Sequence, residues 1–192
     1  FYEFDRGQIL IDGQDIKDYS QEALRKSIGL VLQEPFLYHG TIASNIRMYY
    51  EELTDEEIRQ AAAFVDVADF IESLPGGYDH PVTERGSTLS TGQRQLLAFA
   101  RTIAAQPMLL ILDEATANID QETEEMIQNF LKKMRQGRTT IAIAHRLSTI
   151  QDADCIYVLD KGKIIESGNH DQLIALGGTY KKMYDLQAGM MK

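Results

Sequence analysis

Met108–Glu114 reads Met-Leu-Leu-Ile-Leu-Asp-Glu and carries the clearest fold signal in this 192-residue chain. Its five apolar residues are uninterrupted, and two acids follow them directly. Such a run is typical of a short strand buried on both faces of a parallel sheet. Because ligands of open α/β sheets bind beyond the carboxyl ends of the strands, the two acids stand where a ligand would bind.

Helical and strand-forming segments alternate on both sides of this stretch. Upstream, Ser90–Gln106 is predicted to be a helix, with a capping box between Ser90 and Gln93. Further buried strands are predicted at Ile28–Leu32 and Thr139–Ala144. Strands that alternate with helices predict an α/β domain with a largely parallel core sheet.

The middle and the end of the chain differ from this core. Residues 50–106 are almost wholly helical in pattern and are predicted to form a subdomain, while residues 107–192 hold the rest of the core and the C-terminal helices. Cys155–Leu159 and Lys163–Glu166 are predicted to form an antiparallel hairpin. The tail from His170 onward is predicted to be helical, with a break at a Gly-Gly pair.

Composition excludes several classes of protein. The chain has 19 basic and 29 acidic residues, a net charge of −10, which argues against binding to nucleic acid or to an anionic membrane surface. The longest apolar runs are five residues, whereas a membrane span needs about 20. Cys155 is the only cysteine, so the chain has no internal disulfide. We therefore expect a soluble globular chain.

Four polar residues stand just past predicted strand ends, and these are Gln33, Asp113, Glu114 and His145. Taken singly, each has an ordinary explanation as a solvated loop residue, a helix cap or a structural histidine. Together they match the needs of phosphate transfer. One acid would hold Mg²⁺, its neighbour would orient or activate water, and a third group would sense the γ-phosphate.

The order of the motifs resembles that of the ATP-binding-cassette (ABC) nucleotide-binding domain, over nearly the whole chain. The matching stretches are Gln33, Leu89–Gln93, Leu109–Glu114, Asn118–Asp120 and His145. The resemblance implies a P-loop NTPase core with a mostly parallel sheet, a small antiparallel β part and an inserted helical subdomain. It also implies ATP and Mg²⁺ as cofactors.

The resemblance assigns a role to each of the four strand-end residues. Gln33 is similar to the Q-loop glutamine, which touches Mg²⁺ or the attacking water near the contact with the transporter. Asp113 is similar to the Walker B aspartate that supports Mg²⁺, and Glu114 to the general base. His145 is similar to the switch histidine, which contacts the γ-phosphate.

The same resemblance makes Leu89–Gln93 the signature motif. Its residues Ser90, Thr91, Gly92 and Gln93 would contact the γ-phosphate held by a second nucleotide-binding domain. A helix N-terminus suits that role, because its free N–H groups and its dipole favour an anion. Asp120 would close the D-loop at the same interface.

Two further stretches resemble exporters in particular. Val82–Gly86 is similar to the exporter X-loop, and His145–Thr149 also follows the exporter pattern. This implies an ATPase that drives export at the cytoplasmic face of the cell membrane, with transmembrane domains as partners. The transported substrate would bind those membrane domains and not this chain.

In exporters the segment that matches Glu34–Tyr50 meets the coupling helices of the membrane domain. Phe36, Leu37 and Tyr38 would be its apolar contacts. The alternative is that these three side chains simply pack in the core.

Two motifs depart from the family pattern. Thr91 stands where the signature usually has glycine, and its Cβ restricts the backbone near the phosphate. The D-loop begins Ala117-Asn118-Ile119 and not Ser-Ala-Leu. A weakened signature beside an intact Glu114 is the pattern of one half of a heterodimeric exporter. Neutral variation in a homodimer remains the alternative.

No Gly-x-x-x-x-Gly-Lys-Ser/Thr sequence occurs in the chain. In the family this phosphate loop lies a short way upstream of the residues that match Phe1–Gly7, so we expect an N-terminally truncated domain. Such a chain is expected to bind ATP poorly, to hydrolyse none and to leave apolar sheet surface uncovered. It is also expected to self-associate, to swap elements or to be marginally stable.

Two other functions remain compatible with the sequence. One is a soluble, non-transport ABC ATPase, such as a translation or DNA-repair factor, against which the exporter-like region around Glu84 argues. The other is a catalytically inert interaction fragment. The presence of Glu114 and His145 argues against inertness for a longer parent protein.

Overall fold

The computed structural model describes residues 4–32, 35–83, 86–113, 131–134, 137–144 and 146–190. The chain divides into two compact units, Phe1–Ile141 and Ala142–Lys192. None of the helices within the described ranges has the length and hydrophobicity that a membrane span requires.

The strands and helices are numbered in chain order. The strands are β1 (Leu10–Ile11), β2 (Gln14–Asp15), β3 (Ile28–Val31), β4 (Gly40–Thr41), β5 (Pro81–Val82), β6 (Leu109–Asp113), β7 (Thr139–Ile143), β8 (Ile156–Asp160) and β9 (Lys163–Gly168). The α-helices are α1 (Gln21–Ser27), α2 (Ile42–Arg47), α3 (Asp55–Phe64), α4 (Ala68–Ser73), α5 (Thr91–Ala104), α6 (His170–Leu176) and α7 (Thr179–Met190). Residues 131–134 are also helical.

The central sheet of the first unit has the strand order β3–β6–β7. Strands β3 and β6 are parallel, with Ile28 opposite Leu109 and Val31 opposite Leu112. Both apolar runs are strands, and the predicted parallel arrangement of the core sheet is confirmed for them. The small antiparallel pairs β1–β2 and β4–β5 complete the β structure of this unit.

One face of the sheet is closely packed. Its four buried residues in the two parallel strands are Gly29, Val31, Leu110 and Leu112. Helix α5 lies against this face. A Cβ on Gly29 would come within 2.6 Å of Pro107 Cγ and 2.7 Å of Thr102 Cγ2. Glycine at position 29 is therefore what allows the helix and the strand to approach so closely.

The opposite face of the sheet is apolar and open. Leu30 is 52% exposed, Leu32 50% and Ile141 52%. The prediction that Ile28–Leu32 and Thr139–Ala144 are buried strands was therefore wrong for one face of β3, where Leu30 is exposed, and for β7, which alternates between exposed and half-buried residues. The physical reason is that no part of the described chain covers this side. An uncovered apolar sheet surface was itself predicted from the sequence, and the structure has one.

Helices α2, α3 and α5 pack together in the middle region of the sequence. In α5, Leu96, Ala100 and Ile103 are all buried. The predicted capping box of α5 is formed, and α3 begins with a capping box between Thr54 and Glu57. The region is not wholly helical, because the two-residue strand β5 lies within it.

The second unit contains the predicted hairpin, formed by β8 and β9 with Asp160 opposite Lys163. Its core consists of Leu147, Ile156, Val158, Leu173 and Tyr180. The predicted break in the C-terminal helical tail is confirmed. Gly177 ends α6 in the left-handed conformation at φ 68°, and α7 begins two residues later.

Candidate functional site

The first turn of α5 is fixed by a reciprocal cap. Ser90 Oγ accepts a hydrogen bond from the Gln93 backbone N–H at 3.1 Å, and Gln93 Oε1 accepts one from the Ser90 N–H at 2.9 Å. Ser90 itself has an extended backbone, with φ −64° and ψ 162°. Serine followed three residues later by glutamine therefore sets the residue at which the helix begins.

Two backbone N–H groups at this helix start have no hydrogen-bond partner among the described residues. The amides of Thr91 and Gly92 have no acceptor in the described part of the chain, because the cap serves only Gln93 and the first intrahelical bond begins at Arg94. The first turn of α5 contains no acidic residue. Free N–H groups and an uncompensated helix dipole together favour an external anion such as a phosphate group.

Arg94 adds a positive charge and a rigid contact to the same turn. Its Nη1 donates to the Leu89 carbonyl at 2.6 Å, and its Nη2 donates to Thr91 Oγ1 at 3.1 Å. Thr91, the residue that departs from the family pattern, thus has its hydroxyl held by Arg94. We did not predict this contact from the sequence. Its signal was the spacing of three residues on one helix face.

Asp113 is the last residue of β6 and is half-buried. It stands one residue beyond the last paired position of the parallel strands, where Val31 lies opposite Leu112. The sequence placed Asp113 at the carboxyl edge of the sheet, and the structure confirms that position. No group of three or more metal-ligating side chains occurs among the residues that the structure describes.

The segment after β3 divides into a buried and an exposed part. Leu37 is fully buried, whereas Phe36 and Tyr38 are exposed and their rings meet edge to face at 4.8 Å. A hydrogen bond with the exposed Tyr49 side chain raises the pKa of Tyr38. Core packing therefore accounts for Leu37 and not for its two aromatic neighbours. Phe36, Tyr38 and Tyr49 together form the aromatic patch.

Comparison with known proteins identifies the family. The family described as ABC transporter matches residues 1–117, which is more than half of the chain. The chain belongs to the ABC transporter family. The resemblance in motif order is thereby confirmed.

Relatives and a solved structure agree with this assignment. The Streptococcus pneumoniae protein exp8, named as a putative ABC transporter ATP-binding protein, is 73% identical over 191 residues, covering 100% of this chain and 33% of exp8. Bacillus subtilis YheH, named as a multidrug resistance ABC transporter ATP-binding/permease protein, is 53% identical over 189 residues, covering 98% of this chain and 28% of YheH.

A solved structure of a bacterial Atm1-family ABC exporter with ATP bound superposes with a TM-score of 0.89 and 44% identity. The match covers 97% of this chain and 33% of that one. The chain thus has the ABC ATPase fold, a P-loop NTPase fold as predicted, and spans about a third of the length of these relatives.

The structure describes five of the nine predicted site residues of this ABC domain. Asp113 lies at the edge of the sheet, and Ser90–Gln93 lie at the start of α5, with no hydrogen bond between the two groups in the described chain. The other predicted site residues lie outside the described residues, and these are Gln33, Glu114, Asp120 and His145.

Proposed function

We propose that this chain is the ATP-binding and ATP-hydrolysing part of an ABC exporter, which couples hydrolysis to export of a substrate across a membrane. The observation that carries the proposal is the first turn of α5. It contains no acid, and two of its amides have no acceptor in the described part of the chain, so it is suited to an anion. The exporter part is supported by the ATP-binding/permease name of YheH and by the exporter structure.

The described residues fit ATP and Mg²⁺. Carboxylate oxygen is a preferred Mg²⁺ ligand, and Asp113 presents one at the carboxyl edge of the sheet. When bound, Mg²⁺ neutralises charge on the phosphates. By family resemblance, Gln33 would lie beside the metal or the water, Glu114 would take a proton from the attacking water, and His145 would contact the γ-phosphate.

A second nucleotide-binding domain is the proposed partner of the signature residues. Ser90–Gln93 would face a nucleotide held by that partner, with Asp120 at the same interface. A heterodimer is favoured over a homodimer, because Thr91 adds a Cβ and a hydroxyl, held by Arg94, where the family usually has glycine. The sequence of the partner tests this proposal. A glutamate at its position matching Glu114 would contradict a heterodimer in which one site hydrolyses ATP and the other mainly holds it.

Transmembrane domains are the other proposed partners, which places the intact protein at the cytoplasmic face of the cell membrane. Exposed Phe36 and Tyr38 are suited to meet coupling helices there. The net charge of −10 makes nucleic acid an unsuitable partner.

The 192-residue chain alone is proposed to bind ATP poorly and to hydrolyse none, because its sequence contains no phosphate loop. Isothermal titration with Mg-ATP tests this, and micromolar binding would contradict it. The open apolar sheet face further predicts self-association of the isolated chain. A clean monomer with a sharp melting transition would argue against that.

The substitution that tests the proposed function is Glu114→Gln in the full-length protein. It should abolish steady-state ATP hydrolysis while ATP binding, measured with a fluorescent nucleotide, stays intact, because only the proton acceptor is lost. Glu57→Gln, at an exposed glutamate of α3, is the matched control and should leave hydrolysis unchanged. Retained turnover in Glu114→Gln would place the chemistry at the other nucleotide site.

A further inference from the structure

Asn45 ties the segment that carries the aromatic patch to helix α2. It is 2% exposed. Its Oδ1 accepts from the Tyr38 N–H at 2.8 Å, and its Nδ2 donates to the carbonyls of Tyr38 at 2.8 Å and Thr41 at 3.0 Å. One buried amide therefore satisfies both backbone groups of Tyr38, and fixes the position of the segment relative to α2.

Arg101 ties the same segment to helix α5. Its Nε donates to the Asn45 carbonyl at 2.8 Å, its Nη1 to the Phe36 carbonyl at 3.0 Å and its Nη2 to Asn45 Oδ1 at 3.2 Å. The guanidinium also lies 5.7 Å from the centre of the Tyr38 ring. In the chain, Arg101 is 56 residues from Asn45 and 65 residues from Phe36.

The geometry of this contact requires arginine. The guanidinium is planar and donates in several fixed directions, whereas a lysine ammonium is a single point charge that could reach only part of the three acceptors. Burial lowers the pKa of Arg101. Its hydrogen bonds offset the cost of that burial, and one acceptor, the Asn45 carbonyl, belongs to the C-terminal turn of α2, where a cation is favourable.

Arg101 and the signature residues belong to one continuous helix. Arg101 follows Thr91 by ten positions, which is ~15 Å along the α5 axis. Leu37 of the same segment and Arg94 of the first turn of α5 both lie close to Gly86. A Cβ on Gly86 would lie 2.9 Å from Leu37 Cδ1 and 3.2 Å from Arg94 Cδ.

We propose that Arg101 and Asn45 are positioning residues that couple the aromatic patch to the signature residues. A displacement of Phe36 and Tyr38 passes through the Phe36 carbonyl and Asn45 to the guanidinium, and from there along α5 to the free amides of Thr91 and Gly92. This inference rests on the proposed function, and adds to it the path by which a partner at the patch controls the phosphate-facing turn.

The test uses the full-length transporter and the steady-state ATPase rate. Arg101→Gln and Arg101→Lys should both lower kcat at least about fivefold while the KM for ATP changes less, because coupling networks of this kind carry effects of that size. Lysine at position 101 should not restore kcat, since it keeps the positive charge and loses the planar set of donors that the guanidinium provides. The matched control is Arg59→Gln on α3, which removes a guanidinium 4.6 Å from the Tyr78 ring and should leave kcat unchanged.

A double-mutant cycle separates coupling from general loss of structure. Tyr38→Ala should lower kcat in the parent protein and have no further effect in the Arg101→Gln background, because the path is already cut. Two losses that multiply would overturn the proposal, and so would wild-type kcat in Arg101→Lys.

The remaining outcomes are also decisive. If both Arg101 variants fail to fold while Arg59→Gln folds, Arg101 is structural and the proposal is overturned. If the unaltered transporter hydrolyses no ATP, the proposed function fails, and that result is distinct from an active transporter whose Arg101 and Tyr38 effects are independent.

Discussion

Helices α3 and α5 begin with the same hydrogen-bond arrangement and with different charge. In α3 the capping box joins Thr54 to Glu57, and all three residues of the first turn, Asp55–Glu57, are acidic. In α5 the box joins Ser90 to Gln93, and the first turn has no acid. The neutral glutamine preserves the cap without adding a negative charge.

The difference separates a helix start built for stability from one left available to a ligand. Acids near a helix N-terminus stabilise the helix, and every residue in the first turn of α3 is an acid. The first turn of α5 has no such acid, although acids outnumber bases by 29 to 19 in the chain. A phosphate group bound there would supply the negative charge that the sequence leaves out.

The largest effect is expected when the capping residues Gln93 and Glu57 are exchanged, which tests whether the two helix starts differ in function. Gln93→Glu in the full-length transporter should keep the cap and lower the ATPase kcat/KM about tenfold, because its carboxylate competes with phosphate for the helix start. The reciprocal change Glu57→Gln should leave kcat/KM unchanged. Equal effects of the two variants would show that α5 is an ordinary helix start.

A smaller effect is expected when each cap is deleted. Ser90→Ala and Thr54→Ala should each lower the free energy of unfolding by about 1 kcal/mol, measured by urea denaturation, because each leaves one backbone N–H uncapped. Only Ser90→Ala should also lower ATPase activity, by about threefold, since it loosens the turn that carries the free amides. If Thr54→Ala lowers ATPase activity as much as Ser90→Ala does, the loss of activity is caused by lower stability and not by the place of Ser90 at the start of α5.

The smallest expected effect is in the pH dependence of stability. Hydrogen bonds from the Thr54 N–H and then from the Thr54 hydroxyl lower the pKa of Glu57 below its ordinary value of 4.5. A lowered folded-state pKa stabilises the fold above the unfolded-state pKa, and the gain is lost as the pH falls through the folded-state value.

The gap in melting temperature between the parent chain and Glu57→Gln should therefore be present near neutral pH and shrink below pH 4.5. Gln93 does not titrate, so the gap between the parent chain and Gln93→Ala should stay constant over the same range. A Glu57→Gln gap that does not change with pH would show that the carboxylate is not the capping group.

The parts of the fold that follow from local sequence were the predictable ones. Both capping boxes depend on residues three positions apart, and β3 and β6 are strands because each is an uninterrupted apolar run. The burial of β7 was not predictable in this way. Its β-branched pattern indicates a strand, whereas the exposure of Ile141 depends on what packs over that face.

The candidate site shows the same division between local and distant contacts. The signature residues and Asp113 were placed by motif spacing and by the end of an apolar run. The bonds from Arg101 to Asn45 and Phe36 join segments 56 and 65 residues apart, and no periodicity in the sequence reports such a contact. The burial of Leu37 and the exposure of its two aromatic neighbours likewise became known only from the packed structure.

Strand β3 also constrains how this sequence can drift over evolutionary time. At position 29 even a methyl group would overlap Pro107 and Thr102, so a larger residue there requires these neighbours to shift. One residue further on, Leu30 faces away from that contact and is half exposed. Two adjacent positions of one short strand therefore differ in how well they tolerate substitution. A change at Gly29 requires compensating changes at the residues packed against it, whereas a change at Leu30 does not.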